Sequence, residues 1–262
     1  MIAKEIEYIY EDDDILVLHK PAGMATEGAA AGRMDIVSAA RNYLARKMRN
    51  NEGGRQRNLP PYIATVNRLD APVEGVLVLA RNKRAASDIS LQIKKRTTEK
   101  YYYALCFGSP AKESGRLSDT LIRRSDNGLA QVISEEEKKT INEGNITLRT
   151  GEKLSLIGGD AKEAVLEYRV VAESEKMSLL RIHLITGRFH QIRVQLSSRG
   201  IPILGDDKYC SKESREMSEL IGIRNICLAA YRFEFRHPKT KKKTVFEIVP
   251  YNPHITDMLK KE

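Results

Sequence analysis

Cysteine is scarce in this chain, tryptophan is absent, and no long apolar run occurs. Each absence excludes something. The three cysteines, Cys106, Cys210 and Cys227, are odd in number and far apart, so neither a disulfide framework nor a zinc site is expected. No stretch approaches the roughly 20 apolar residues that cross a bilayer. The opening residues, MIAKEIEYIYEDDD, lack the apolar core of a secretory signal and carry acids that a transit peptide avoids. A cytoplasmic location is therefore expected. No metal-ligand cluster and no nucleotide-binding glycine loop stands out, so neither a metal nor a cofactor is expected.

Basic charge is what the chain has in excess. Lys and Arg number 44 against 35 for Asp and Glu, a net charge of +9 over 262 residues. Such an excess suits a polyanionic partner, because Lys and Arg that neutralise phosphates release counterions. Charge alone leaves a merely basic protein equally open. The length allows a sizeable core, as one large domain or two small ones.

Hydrophobic periodicity places the elements. Ile15 to Leu18 read as a short strand, stopped by the Lys20-Pro21-Ala22-Gly23 turn. A helix is predicted over 34–48, running into the polar, basic loop 49–58, and a second over 83–96, with Ala86, Ile89 and Ile93 on one face. Strands follow at EKYYYALCFG, AVLEYRVVAE and KMSLLRIHLI. Residues 115–160 read as hairpins and loops. TGRFHQIRVQLSSRG is predicted helical, with Thr186 as N-cap and Gly200 as C-cap. Two strands joined by the basic turn KTKKK close the pattern. Strands dominate without alternating regularly with helices, so an α+β fold around a mixed, mostly antiparallel sheet is expected.

Three constellations could carry chemistry. Asp70 lies in TVNRLDAPVEGVLVLA, at the mouth of an apolar run. A half-buried carboxylate there needs a cation to stay ionised and aimed. Arg68 points to the opposite face of an extended stretch, so the partner must come from elsewhere. A turn acid or a surface ion pair is the competing reading. In TGRFHQIRVQL, Phe189, Ile192 and Leu196 are expected to face inward, while Arg188 and Arg193 approach a phosphate or a buried carboxylate. A solvated basic helix fits the same pattern. In KYYYAL, Tyr102 points opposite to Tyr101 and Tyr103, placing a ring where a base could stack or where core is simply filled.

Together these segments resemble the RluA-type pseudouridine synthases, in order and over almost the whole chain. The resemblance rests on Lys20-Pro21-Ala22-Gly23, Arg68-Leu69-Asp70 with Gly75, Lys100-x-Tyr102-x-Ala104, and Thr186-Gly187-Arg188-x-His190-Gln191-Ile192-Arg193. It continues through Pro202-Ile203-Leu204-Gly205-Asp206 with Tyr209, Leu228-x-Ala230-x-x-Phe233 and Arg236-His237-Pro238. The chain departs from the family at Asn67, usually His, and at Val73-Glu74, usually Thr-Ser. Glu74 sets a second acid four positions after Asp70, which must either point away or be offset by a base.

The resemblance implies a single catalytic domain over 1–262, with a central active-site cleft and no S4 RNA-binding domain. It implies an RNA pseudouridine synthase that flips a uridine out of structured ribosomal or transfer RNA and isomerises it without cofactor or metal. Asp70 would be the catalytic carboxylate, as nucleophile or as base. Tyr102 would stack under the flipped base, and Arg193 would pair with Asp70. Arg68, Arg188, His190 and Lys20 would contact RNA or support the site. A monomer is expected. Two alternatives stand beside it: a catalytically silent RNA-binding protein on the same fold, suggested by Asn67, Val73 and Glu74, and a glycosidase using Asp70 and Glu74 as a carboxylate pair.

Overall fold

The computed structural model describes residues 6–30, 32–51 and 60–260. They form two compact units. The first comprises Met1–Lys100 and Ala229–Tyr251, the second Tyr101–Leu228 and Asn252–Glu262.

The chain begins with strands β1 (Glu7–Glu11) and β2 (Ile15–Lys20), joined by the turn at Asp12–Asp14, then helix α1 (Ile36–Asn51). The short β3 (Ala64–Thr65), β4 (Glu74–Ala80) and α2 (Lys83–Lys94) follow. In the second unit come β5 (Glu99–Phe107), β6 (Ser114–Arg123), β7 (Ala130–Ile133), α3 (Glu135–Lys138), β8 (Asn145–Thr147) and β9 (Lys153–Ser155). Next are β10 (Lys162–Ser174), β11 (Met177–Leu184), α4 (Gln191–Ser197) and α5 (Lys212–Leu220). The chain then returns to the first unit with β12 (Leu228–Arg236) and β13 (Lys243–Glu247), and ends with α6 (Pro253–Leu259).

In the first unit the strand order is β1-β2-β4-β12, with β13 beside β12 and β3 beside β4. β4 and β12 run parallel and the other pairs antiparallel, which makes the sheet mixed. Both β2 and β4 are buried along their whole length. Buried on both faces, they read as continuous apolar runs rather than as alternating ones. One face packs Ile15, Val17, Val76 and Val78 against Ile89 of α2 and against Phe233, Phe235 and Phe246. In α1, Ile36, Ala40 and Leu44 form the buried stripe. α2 is capped by Asn82, whose side chain accepts the Ala85 N–H, and buries Ala85 rather than Ala86 beside Ile89.

The second unit holds the antiparallel order β5-β11-β10-β6-β7, with α4 against β6 and β7 and α6 against β10 and β11. Residues 124–161 are more ordered than their polar sequence indicates. β7, α3, β8 and β9 close over a small core of Ile122, Ile133, Ile146, Leu148, Leu154 and Leu156. The charge run SEEEKK is an exposed helical turn started by a Ser134–Glu137 capping box. The expected α+β class holds. Helices α5 and α6 lie where no helix was predicted.

One glycine fixes how β4 meets β12. Gly75 has φ +142°, and a Cβ built there would lie 2.4 Å from the Ala230 carbonyl oxygen. Only a residue without a side chain allows that approach. Gly75→Ala is expected to cost about 3 kcal/mol, read as a lowered denaturation midpoint. An unchanged midpoint would mean that the strands separate without penalty.

Candidate active site

Asp70 sits in the segment between β3 and β4, half-buried, in a turn closed by the Val73 N–H donating to the Asp70 carbonyl at 3.0 Å. The segment at 20–26 grips this turn from the side. Thr26 Oγ1 donates to the Leu69 carbonyl at 2.8 Å and accepts the Leu69 N–H at 3.3 Å. The Gly23 N–H donates to the Ala71 carbonyl at 2.8 Å. The backbone on both sides of Asp70 is thereby fixed before any ligand arrives. Thr26 is a positioning residue that no sequence pattern singled out.

Lys20 corrects the sequence reading. Expected to contact RNA, it is fully buried. Its ammonium donates to three carbonyl oxygens, Pro21 at 3.0 Å, Met24 at 2.6 Å and Ala71 at 3.0 Å. Three donors meet three acceptors, the condition under which a buried ammonium is tolerated. Burial pushes its pKa down to about 7, against the opposing pull of the Asp70 and then the Glu74 carboxylate. Lys20 therefore puts a cation in the field of Asp70 from within the same unit. The sequence had looked for that cation only in the 186–193 segment.

The register of β2 on β4 settles the direction of Glu74. Lys20 lies opposite Gly75 and His19 opposite Val76, so Glu74 shares its face of the sheet with His19, not with Lys20. Its carboxylate accepts the Tyr251 N–H at 2.9 Å and lies 3.4 Å from His19 Nε2. The His19 ring stacks on Tyr251 at 3.7 Å. Burial and the hydrogen bond to Glu7 push the Tyr251 hydroxyl up to about 12. The second acid thus lies on the face of the sheet opposite Lys20, held there by the Tyr251 N–H. The other departures are also absorbed structurally, since Asn67 Oδ1 accepts the Val78 N–H at 3.2 Å and Val73 is buried.

Arg68 projects into solvent at 74 % exposure, its guanidinium 3.5 Å from Glu27. In the turn KTKKK, Lys239, Lys241 and Lys243 each face a carboxylate, Asp13, Asp88 and Glu234 respectively. Much of that turn's charge is compensated. The basic loop expected at 49–58 lies outside the described residues from position 52 onward.

In the second unit Tyr102 is buried in β5, and Tyr101 faces the other way, stacked on His183 at 4.7 Å. The 186–200 segment departs from its predicted helix. α4 begins only at Gln191, preceded by His190 in the left-handed region at φ 51°. Thr186 is not its N-cap. Its hydroxyl accepts the Val165 N–H at 2.8 Å and donates to Gln191 Oε1 at 2.7 Å, tying the turn to β10. Ile192 and Leu196 are buried as expected, but Phe189 is 39 % exposed.

Arg193 is buried, and Asp206 takes one edge of its guanidinium through Nε at 2.7 Å and Nη2 at 2.6 Å. Asp206 also accepts the N–H groups of Lys208 and Tyr209. His190 is buried, its Nδ1 2.9 Å from the Tyr209 hydroxyl. That hydroxyl also accepts the Ala130 N–H at 2.8 Å. Burial, and then the charges of Arg193 and Lys208, push His190 down to about 3. His190 is therefore a structural residue. Arg188 donates from Nε to the Glu163 carbonyl at 2.9 Å.

One group of side chains has the composition of a metal site. Ligand atoms of Asp12, Asp14 and His237 lie within 4.8 Å of one another. His237 Nδ1 accepts the N–H groups of Lys239 and Thr240, so the proton sits on Nε2, which faces Asp12 Oδ2 at 2.8 Å, off the line of the ring N–H. Asp14 is paired with Arg84 and Asn82. With the ring nitrogen protonated and a guanidinium present, the cluster fits an ion-pair network, not a cation site.

The Lys20 titration has a testable sign. Below about pH 7 both folded and unfolded forms hold the proton; between about 7 and the ordinary 10.5 only the unfolded form does. The Lys20 contribution to unfolding free energy therefore rises with pH across that window. Denaturant unfolding at several pH values is expected to show the rise, and Lys20→Met to remove it. Glu74→Gln takes away one opposing charge and should move the onset to lower pH.

Comparison with known proteins follows the same outline. Residues 14–198 match the family model described as RNA pseudouridylate synthase. An uncharacterized RNA pseudouridine synthase from Aquifex aeolicus is 34% identical over 93% of this chain and 69% of its own length. The dual-specificity RNA pseudouridine synthase RluA of Vibrio parahaemolyticus is 29% identical over 97% of this chain and 87% of its own length. Among solved structures, human RNA pseudouridylate synthase domain containing 4 superposes with a TM-score of 0.70 at 21% identity, covering 97% of this chain and 93% of that one. The fold is shared even at that low identity. The chain belongs to the RNA pseudouridine synthase family, enzymes that isomerise uridine to pseudouridine.

Proposed function

We propose that this protein isomerises a specific uridine in a structured ribosomal or transfer RNA, with Asp70 as the catalytic carboxylate. The observation that carries the proposal is the pre-set turn around Asp70. Its backbone is gripped by Thr26 and Gly23, and the buried Lys20 ammonium lies in its field. A solvated turn acid needs none of this. In the reaction the N1–C1′ bond of uridine breaks, the base turns, and C5 bonds to C1′. C5 then gives up its proton and N1 gains one. Asp70 acts either on the anomeric carbon or on a sugar proton, splitting a hard step into two.

In this reading Tyr102 stacks under the flipped base and assists loss of the C5 proton. Arg193, fixed through one edge by Asp206, is the guanidinium that this reading assigns to the reaction. Arg68, the most exposed of these arginines, fills the gap left by the flipped nucleotide or meets a phosphate, and Arg188 contacts RNA. The chain acts as one catalytic domain, as a monomer, in the cytoplasm and without a cofactor. Asn67, Val73 and Glu74 are absorbed into strand packing and buried pairing, which removes the main reason to read the scaffold as silent.

The test is release of tritium from RNA labelled at uridine C5. Wild-type protein is expected to release it, and Asp70→Asn to lower the rate by about 10³-fold or more. Tight RNA binding with no release on any RNA would establish the silent alternative. Free uracil among the products would establish a hydrolase.

A further inference from the structure

Phe189 stands out in the second unit because the family pattern leaves its position open and the structure leaves it exposed. It occupies one end of a column of rings and guanidinium groups. The Arg123 guanidinium lies 4.0 Å from the centre of its ring. On the other side the His190 ring stacks on it at 3.7 Å and 22°. His190 meets Tyr209 edge-on at 5.5 Å, and Arg193 lies over Tyr209 at 5.2 Å.

The inner part of this column is rigid. His190 and Tyr209 are buried and hydrogen-bonded to each other, Tyr209 is anchored by Ala130, and Arg193 is clamped by Asp206. The outer part is held lightly. Arg123 is half-buried, and its Nε donates to the Gly128 carbonyl at 3.2 Å. An apolar ring backed by a fixed imidazole and covered on its outer face by a guanidinium is organised for stacking before any ligand arrives. The charges that act on His190 are mostly positive, Arg193, Lys208 and Arg123 against Asp206, which is itself paired with Arg193.

We propose that Phe189 is a stacking platform for an unpaired base of the RNA, and that Arg123 covers this face in the free protein. The base displaces the guanidinium because base–aromatic stacking is the stronger contact, an exposed cation–π pair being weak. Arg123 then turns to a flanking phosphate, for which its planar fork is suited. One side chain thus keeps the platform from standing bare as an exposed aromatic face and then contributes to affinity. The proposal rests on the reading of this chain as an RNA-acting enzyme, but it concerns a contact apart from Asp70.

Fluorescence anisotropy with a labelled single-stranded 12-nucleotide oligo(A) RNA, and with a duplex RNA of equal length, tests it. Phe189→Ala is expected to weaken single-strand binding roughly 5- to 150-fold, the range for losing one stacked base. The slope of log affinity against log salt should stay unchanged. Arg123→Gln should lower that slope by about 0.7, one phosphate on a single strand. Phe189→Tyr should bind like the wild type, whereas Phe189→Leu, which still covers His190, should bind like Phe189→Ala. Wild-type-like binding by Phe189→Leu, an equal loss on the duplex, or no single-strand binding by the wild type would each overturn the proposal. Tritium release by the wild type is scored separately. Phe189-dependent binding without release would sink the enzyme reading and leave the platform standing; release without Phe189-dependent binding would do the reverse.

Discussion

A single ammonium group, that of Lys20, holds the first unit's candidate site together. A buried cation costs several kcal/mol unless its hydrogen bonds are met and a counter-charge lies near. Here both conditions are satisfied by the segments that need fixing. The Pro21 and Met24 carbonyls belong to the turn after β2, the Ala71 carbonyl to the residue after Asp70, and the Asp70 carboxylate supplies the field. The same contact that neutralises the cost of burying Lys20 sets the backbone that carries the acid. Gly75 completes the arrangement by letting β4 lie against β12 where a side chain would collide.

The second unit solves a similar problem with a guanidinium. Arg193 is buried on a short helix and takes a two-pronged contact from Asp206, whose remaining acceptor capacity goes to two backbone N–H groups. Bidentate pairing backed by further hydrogen bonds to the carboxylate is what makes such burial tolerable. From this anchor the rings lead to the surface, Tyr209 meeting His190 edge-on and His190 stacking on Phe189. The rigidity of the deep contacts is thereby passed to an exposed aromatic residue.

The three departures from the family pattern show how a fold absorbs substitutions near a functional acid. Asn67 trades an imidazole for an amide oxygen that caps a strand N–H, and Val73 goes into the core. Glu74 would be the damaging one if it faced Asp70, because two close carboxylates cannot both ionise freely. Strand alternation turns it to the other face of the sheet. There the Tyr251 N–H donates to it, with the His19 ring alongside.

Much of the architecture was legible in the sequence, because apolar periodicity is a local property. The runs at Ile15–Leu18 and Val76–Ala80, the helices near 36 and 83, and the aromatic strand around Tyr102 all follow from spacing within a few residues. The order of the motifs was legible as well, and it carried the family. Pairing was not. Lys20 reads as a surface lysine until residue 71 is folded against it, Glu74 has no direction until β2 sets its register, and Arg193 shows no partner until Asp206 arrives. The late start of α4 has the same origin, since Thr186 bonds to Val165 on β10 instead of capping the helix. Sequence determined the apolar strands and the two early helices, though not α5 or α6, and which residues carry charge. Only the tertiary structure decided which charges are buried and what they meet, because electrostatic and hydrogen-bond partners are chosen by distance in space, across separations along the chain that local pattern does not encode.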